Sequence, residues 1–137
     1  MLTQIYEVFK IFGCFCLADR LLTNLTNLDG IYYLLHTIHN YMIVQLTYDE
    51  VYNSLTDFNY IQTSEKNIVA LQFVFALHFY HLAIYWKKFR FDDWIHHILM
   101  IGIALPIGAF AQSRSLLGYS LFFTTGLPVE LIIFYYF

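Results

Sequence analysis

The chain has 137 residues, of which 59% are hydrophobic and only 12% charged. Soluble domains stand near ~45–50% apolar and ~25% charged, and a water-soluble domain of this size has too little interior to hide the excess. A net charge of −3 leaves no footprint of a nucleic-acid binder. Mean hydropathy is +0.56. These values imply an all-α integral membrane helical bundle forming one transmembrane domain over 1–137. About five spans are expected, with a short interfacial segment between spans two and three.

The first apolar run, 2–18, carries Glu7 and Lys10, which pair at i, i+3 on one helical face. It reads as a partly buried first span, with a helix lying in the interface as the alternative. Charges at these positions do not suit the uncharged core of a leader, so insertion through the spans themselves is expected. Cys14 and Cys16 lie two apart on this helix, point to different sides and imply no disulfide framework. Residues 19–29 read as a polar connector. Asn24, Leu25 and Thr26 match the three-residue glycosylation acceptor, a short pattern.

Residues 30–46 form a second span that contains His36 and His39. Residues 47–66, with Asp49, Glu50, Asp57 and Glu65, are the most polar stretch and are expected to hold the interfacial helix. A third span covers 67–86, a basic-then-acidic turn 87–93, a fourth span 94–111 and a short turn 112–115. A fifth span, 116–137, carries Gly126, Pro128 and Glu130. The sequence ends at Phe137 within an apolar run, which leads to the expectation of further helices beyond it. Arg20, Lys87, Lys88 and Arg90 weight the 19–29 and 87–93 connectors toward the cytoplasmic side. The 12 Tyr and 14 Phe suit interfacial belts, and equally suit an AT-rich coding sequence.

The densest chemistry lies between His78 and His97, HFYHLAIYWKKFRFDDWIHH. Ionisable groups at the rim of a hydrocarbon layer are costly and mark a functional site by default. At about 1.5 Å per helical residue, His81 and His36 each lie about 9 Å in from the side of the basic turn, and Glu130 about 10 Å. His78 is one turn deeper than His81, and His96 and His97 one turn inside the fourth span. Four spans thus bring ionisable groups to one level. Asp92 and Asp93 precede the histidine pair by three to four residues, the spacing at which a carboxylate orients an imidazole for general acid–base work. The same two acids suit a helix start, where they favour the helix dipole. His78 and His81 suit hydrogen bonds between helices, His36 and His39 a structural role, and Glu130 a pairing that serves folding.

The stretch FYHLAIYWKKFRFDDWIHHILM, followed by PIGAF and SLLGYSLFFTTGLP, resembles the TLC-domain family, named for translocating-chain-associating membrane proteins and ceramide synthases. The resemblance covers 67–137. It implies a helical membrane bundle of more spans, with His96 and His97 as the paired histidines and Asp92 or Asp93 as the upstream acid. In ceramide synthases the pair is implicated in moving an acyl group from acyl-CoA to a sphingoid-base amine, and short members are linked to lipid sensing or membrane composition. Three features differ: the sequence is short, His81 stands where many members carry an Asp, and the stretch after the pair lacks the synthases' Thr and Ser.

The leading expectation is therefore a multi-pass protein of lipid metabolism or lipid sensing in the endoplasmic reticulum or a related endomembrane. Its catalytic candidates are His96, His97, Asp93 and Asp92. Its substrate-binding candidates are His78, His81, Tyr85 and Glu130, with an apolar pocket opening near His97. Membrane lipids and acyl chains are the expected partners, acyl-CoA a co-substrate, and no resident cofactor or metal is assigned. Two other classes compete. One is a non-enzymatic small subunit of a membrane assembly, which would bring membrane-protein partners. The other is a di-metal desaturase or hydroxylase, with clusters His36-x2-His39, His78-x2-His81 and Asp93-x2-His96-His97.

Overall fold

A computed structural model of the chain describes residues 2–26, 30–57, 59–60, 65–110 and 117–126. Among these residues the regular structure is entirely helical. Helix α1 runs Leu2–Thr26 and α2 Ile31–Thr56. Helix α3, Glu65–Tyr80, is continued by a π turn, His81–Tyr85, and a 3-10 turn, Trp86–Lys88. Helix α4, Phe91–Leu99, passes through a π turn, Met100–Ala104, into α5, Leu105–Phe110. Helix α6, Leu117–Leu121, ends in a further π turn, Phe122–Gly126.

Two boundaries differ from the sequence expectation. The 19–29 connector is helical as far as Thr26. The second helix passes the expected end at 46 and continues to Thr56. No Gly or Pro interrupts 47–56. Ile43, Thr47, Glu50 and Val51 are all buried, so one face continues at i, i+4, i+7 and i+8 through the polar stretch. Two helices, Asn67–Lys88 and Phe91–Phe110, are long and apolar enough to cross a membrane. Of the fifth span, only 117–126 lies within the described residues.

Helix α3 is the centre of the bundle. One of its sides, Ala70, Leu71 and Val74, packs with Ile43 of α2, Leu105 of α5, and Leu117 and Leu121 of α6. The other, Ala76, Leu77 and Tyr80, packs with Phe15 of α1 and with Ile31 and Leu35 of α2. Ala70 and Ala76 at the contacts let backbones approach closely, as small residues do between membrane helices.

Two π turns have local causes. Pro106 has no N–H, and its ring would strike the Gly102 carbonyl four residues back in a regular helix. The helix widens just before it: the Leu105 N–H donates to the Met100 carbonyl, five residues back. In α3, the Tyr80 and Tyr85 hydroxyls both donate to Asp19 Oδ1 on α1, at 3.0 and 2.7 Å. Residues five apart in a regular helix point about 140° apart. The extra residue of a π turn allows both rings to face α1.

The distribution of polarity is inverted. Asp19, His39, Asn40, Thr47, Glu50, Asn67, His78, His81 and His97 are buried, while Leu25, Phe91, Ile98, Ile107 and Phe110 stand exposed. At the end of the bundle away from the histidines, Glu50 Oε1 accepts the Gly118 N–H at 2.9 Å. A Cβ on Gly118 would stand 2.6 Å from Asn67 Oδ1 and 2.9 Å from Glu50 Cδ, so only glycine permits this approach.

Gly118→Ala is therefore expected to lower stability by about 1–3 kcal/mol through overpacking. Thermal unfolding in detergent reads this directly. An unchanged midpoint would contradict the close approach of α6 to Glu50 and Asn67.

Candidate functional site: a six-histidine cluster

All six histidines of the chain converge. His36 and His39 stand one turn apart on α2, with ring centroids 6.3 Å apart. His36 stacks on His81 at 5.3 Å, and His81 meets His97 edge-on at 5.3 Å. His97 lies 5.3 Å from His96 and 5.1 Å from His78, and His78 lies 5.4 Å from His96. Helices α2, α3 and α4 each supply two.

The turn between α3 and α4 sets this meeting. The chain leaves the 3-10 turn at Lys88 and restarts as a helix at Phe91. Asp93 Oδ2 accepts the Arg90 N–H at 2.9 Å, which fixes where α4 begins. With so short a connection the first turns of α4 lie against the last turns of α3, and the histidine pair falls beside His78 and His81. Phe89 in the same turn stacks on the His97 ring at 4.6 Å. Asp92 pairs with Arg90 at 3.3 Å with both side chains largely exposed, a contact of little energetic weight.

Hydrogen bonds define part of the proton arrangement. His78 Nδ1 lies 2.8 Å from the Val74 carbonyl. A carbonyl only accepts, so the proton sits on Nδ1 and the Nε2 lone pair is free. That Nε2 faces His96 Nε2 at 3.4 Å. His39 Nδ1 lies 3.0 Å from Asn40 Oδ1. His39 Nε2, His81 Nε2 and His97 Nδ1 are buried without a hydrogen-bond partner. A polar nitrogen left so costs about 1–3 kcal/mol, which makes these atoms a reserve of binding capacity. His97 is 4% exposed and His81 2%, whereas His96 opens to the surroundings.

The other candidates fall as follows. Asp93 engages the helix start, as the capping reading requires, and its bond to the Arg90 N–H is the contact its carboxylate makes. Tyr85 donates to Asp19 and packs against Tyr32 with centroids 4.9 Å apart, on the edge of the cluster. Tyr32 in turn lies 4.7 Å from His81. Glu130 lies outside the described residues. An apolar groove of about 290 Å³ runs between α1 and α3, lined by Val8, Phe9, Leu71, Phe75 and Phe79 among others, and no histidine lines it.

Sequence reasoning missed Asp19, assigning it to a polar connector. It is 8% exposed and receives two phenols. The available signal was its distance from the start of α1, which places it level with Tyr80 and Tyr85 once α1 is allowed to run its full length. Phe89 was also missed, because an aromatic residue in a basic turn has no pattern that separates it from its neighbours.

No protein-family model, curated protein or solved structure matches the chain.

Asp19→Ala strands the buried Tyr80 hydroxyl and the half-buried Tyr85 hydroxyl and is expected to cost about 1–3 kcal/mol, mostly through the buried donor. Adding Tyr80→Phe and Tyr85→Phe to that variant removes the stranded donors and should recover part of the loss. Thermal unfolding of the wild-type chain and the two variants in detergent checks this. No recovery in the triple variant would contradict the clamp.

Proposed function

We propose that this chain is a multi-pass membrane protein of lipid metabolism, similar to the TLC-domain family, acting at an endomembrane such as the endoplasmic reticulum. The membrane part of the reading is supported by the inverted polarity. Phe91, Ile95, Ile98 and Leu99 of α4 and Ile107 and Phe110 of α5 stand exposed, while the interior holds imidazoles, amides and carboxyls beside its apolar core. In hydrocarbon, association between helices relies on close packing and interhelical hydrogen bonds, which suits such an interior. The apolar helices Asn67–Lys88 and Phe91–Phe110 are of spanning length. Each side of the Trp86–Arg90 turn then carries histidines into the bundle from the same face.

The observation that carries the functional reading is the convergence of His36, His78, His81, His96 and His97 from three helices at that face. Clustered imidazoles with unpartnered nitrogens are proton acceptors and donors by composition. The reaction class is acyl transfer. An imidazole of the His96–His97 pair takes the proton of a lipid amine or hydroxyl as its nitrogen or oxygen bonds to the acyl carbon. It returns the proton to the departing thiolate of acyl-CoA as the carbon–sulfur bond breaks. His81 and His78 hold the acceptor, Tyr85 closes the edge, and the acyl chain lies against the apolar surface of the spans.

His96→Ala together with His97→Ala is expected to reduce acyl transfer from acyl-CoA to an amine or hydroxyl lipid by about 100-fold or more while far-UV circular dichroism is unchanged. The assay uses the chain reconstituted in lipid vesicles. Turnover retained by a folded double variant would overturn the reading.

A further inference from the structure

We infer that the cluster is a binding site for a single divalent transition-metal ion of the zinc or ferrous type, held by His78, His96 and His97. This inference rests on the geometry of three rings and competes with acyl transfer at the His96–His97 pair, because a ring nitrogen whose lone pair binds an ion cannot also take a proton. The leading sequence expectation assigns the cluster no metal, and the spacing of the histidines supports only a competing di-metal class over three clusters. The distances between rings point to a single ion.

Imidazole nitrogens bind zinc at about 2.0–2.1 Å, so two ligands of a tetrahedral ion stand about 3.3–3.4 Å apart. His78 Nε2 and His96 Nε2 stand 3.4 Å apart. With the ion on the ring axis, the centroids of any two such imidazoles are about 5 Å apart. The three rings His78, His96 and His97 form a nearly regular triangle of 5.4, 5.1 and 5.3 Å. Two coplanar stacked histidines or a simple hydrogen-bonded pair would not place a third ring at the same distance from both.

The proton arrangement agrees. Metal-bound histidines characteristically donate their other N–H to a carbonyl or carboxylate, which fixes the tautomer and the ring direction. His78 does so toward the Val74 carbonyl at 2.8 Å, leaving its Nε2 lone pair aimed at His96. His97 Nδ1 and His81 Nε2 are buried nitrogens without a partner. The His97 ring stands at the third corner of the triangle with its Nδ1 unpartnered, and His81 lies 5.3 Å from His97 as a further donor. Among the described residues no three donors already surround one point at bonding distance, so completing the set takes rotation of the His97 ring. His96 is exposed and gives the ion a way in. Imidazoles favour zinc, iron, copper and nickel over magnesium or calcium.

The test is metal analysis of the detergent-purified chain after exposure to Zn²⁺ and removal of loose ions, with Co²⁺ as a spectroscopic probe. The expected result is about one ion per chain and visible cobalt absorption of tetrahedral intensity. His78→Gln and His96→Gln, which keep side-chain bulk, should each weaken binding by about tenfold or more. Cys14→Ser with Cys16→Ser should leave it unchanged, excluding the thiols. Sub-stoichiometric metal in the folded wild-type chain, or binding indifferent to His78 and His96, overturns the inference. Its failure is distinguishable from failure of the acyl-transfer reading. Metal bound by a chain with no turnover defeats only acyl transfer, and turnover by a chain that binds no metal after exposure to Zn²⁺ defeats only the ion.

Discussion

An imidazole inside an apolar bundle has no water to turn to. Its ring nitrogens meet neighbouring polar groups or remain unpartnered, at a cost of the order of 1–3 kcal/mol each. Six imidazoles on three helices therefore constrain one another. They lie together because the short turn Trp86–Arg90 keeps His96 and His97 beside His78 and His81, and because α2, packed against α3, brings His36 and His39 to the same place. The Asp93 bond to the Arg90 N–H sets the start of α4 and so the register of the histidine pair. A slip of one residue on α4 would rotate His97 by about 100° and remove it from the cluster.

The rest of the bundle follows the same logic at other levels. Asp19 gathers Tyr80 and Tyr85 beneath the cluster and fastens α1 to α3, at the price of a widened helical turn. Glu50 takes the Gly118 N–H at the opposite end and fastens α2 to α6. Between these polar ties lie the apolar contacts of α3, with Ile43, Leu71 and Val74 on one side and Phe15, Leu35 and Leu77 on the other. Polar ties inside and large apolar side chains outside are the arrangement that supports the membrane reading proposed above. Widened turns accompany both ends of the site: His81 opens one, and Met100, three residues past His97, opens another. Such turns recur at functional positions because they re-aim side chains.

Much of this was legible in the sequence. Long apolar runs give helices, and counting residues from the basic turn was enough to place His36, His81 and His97 at a common depth. Depth along a helix does not fix direction around it, so the distances among the rings needed the packed structure. The extent of α1 and α2 was misjudged for one reason: polar residues such as Asp19 and Glu50 read as connector when the criterion is hydropathy, yet each is a buried tie on a continuing helical face. For Asp93, spacing allowed both a helix start and an orienting role for histidine, because i−3 and i−4 positions serve both. Glu130 lies outside the described residues, so its place beside the histidines rests on sequence counting.

Interhelical contact among the imidazoles carries both the cluster and the proposed placement of the chain in a membrane. Solid-state NMR of the chain in lipid bilayers, with histidine labelled in carbon and nitrogen, measures that contact. The account predicts cross-peaks linking His78 with His96 and His81 with both His36 and His97, with little transfer from lipid acyl chains to His81. Histidine rings that show no contact with one another, and that exchange magnetisation with lipid chains instead, would contradict it.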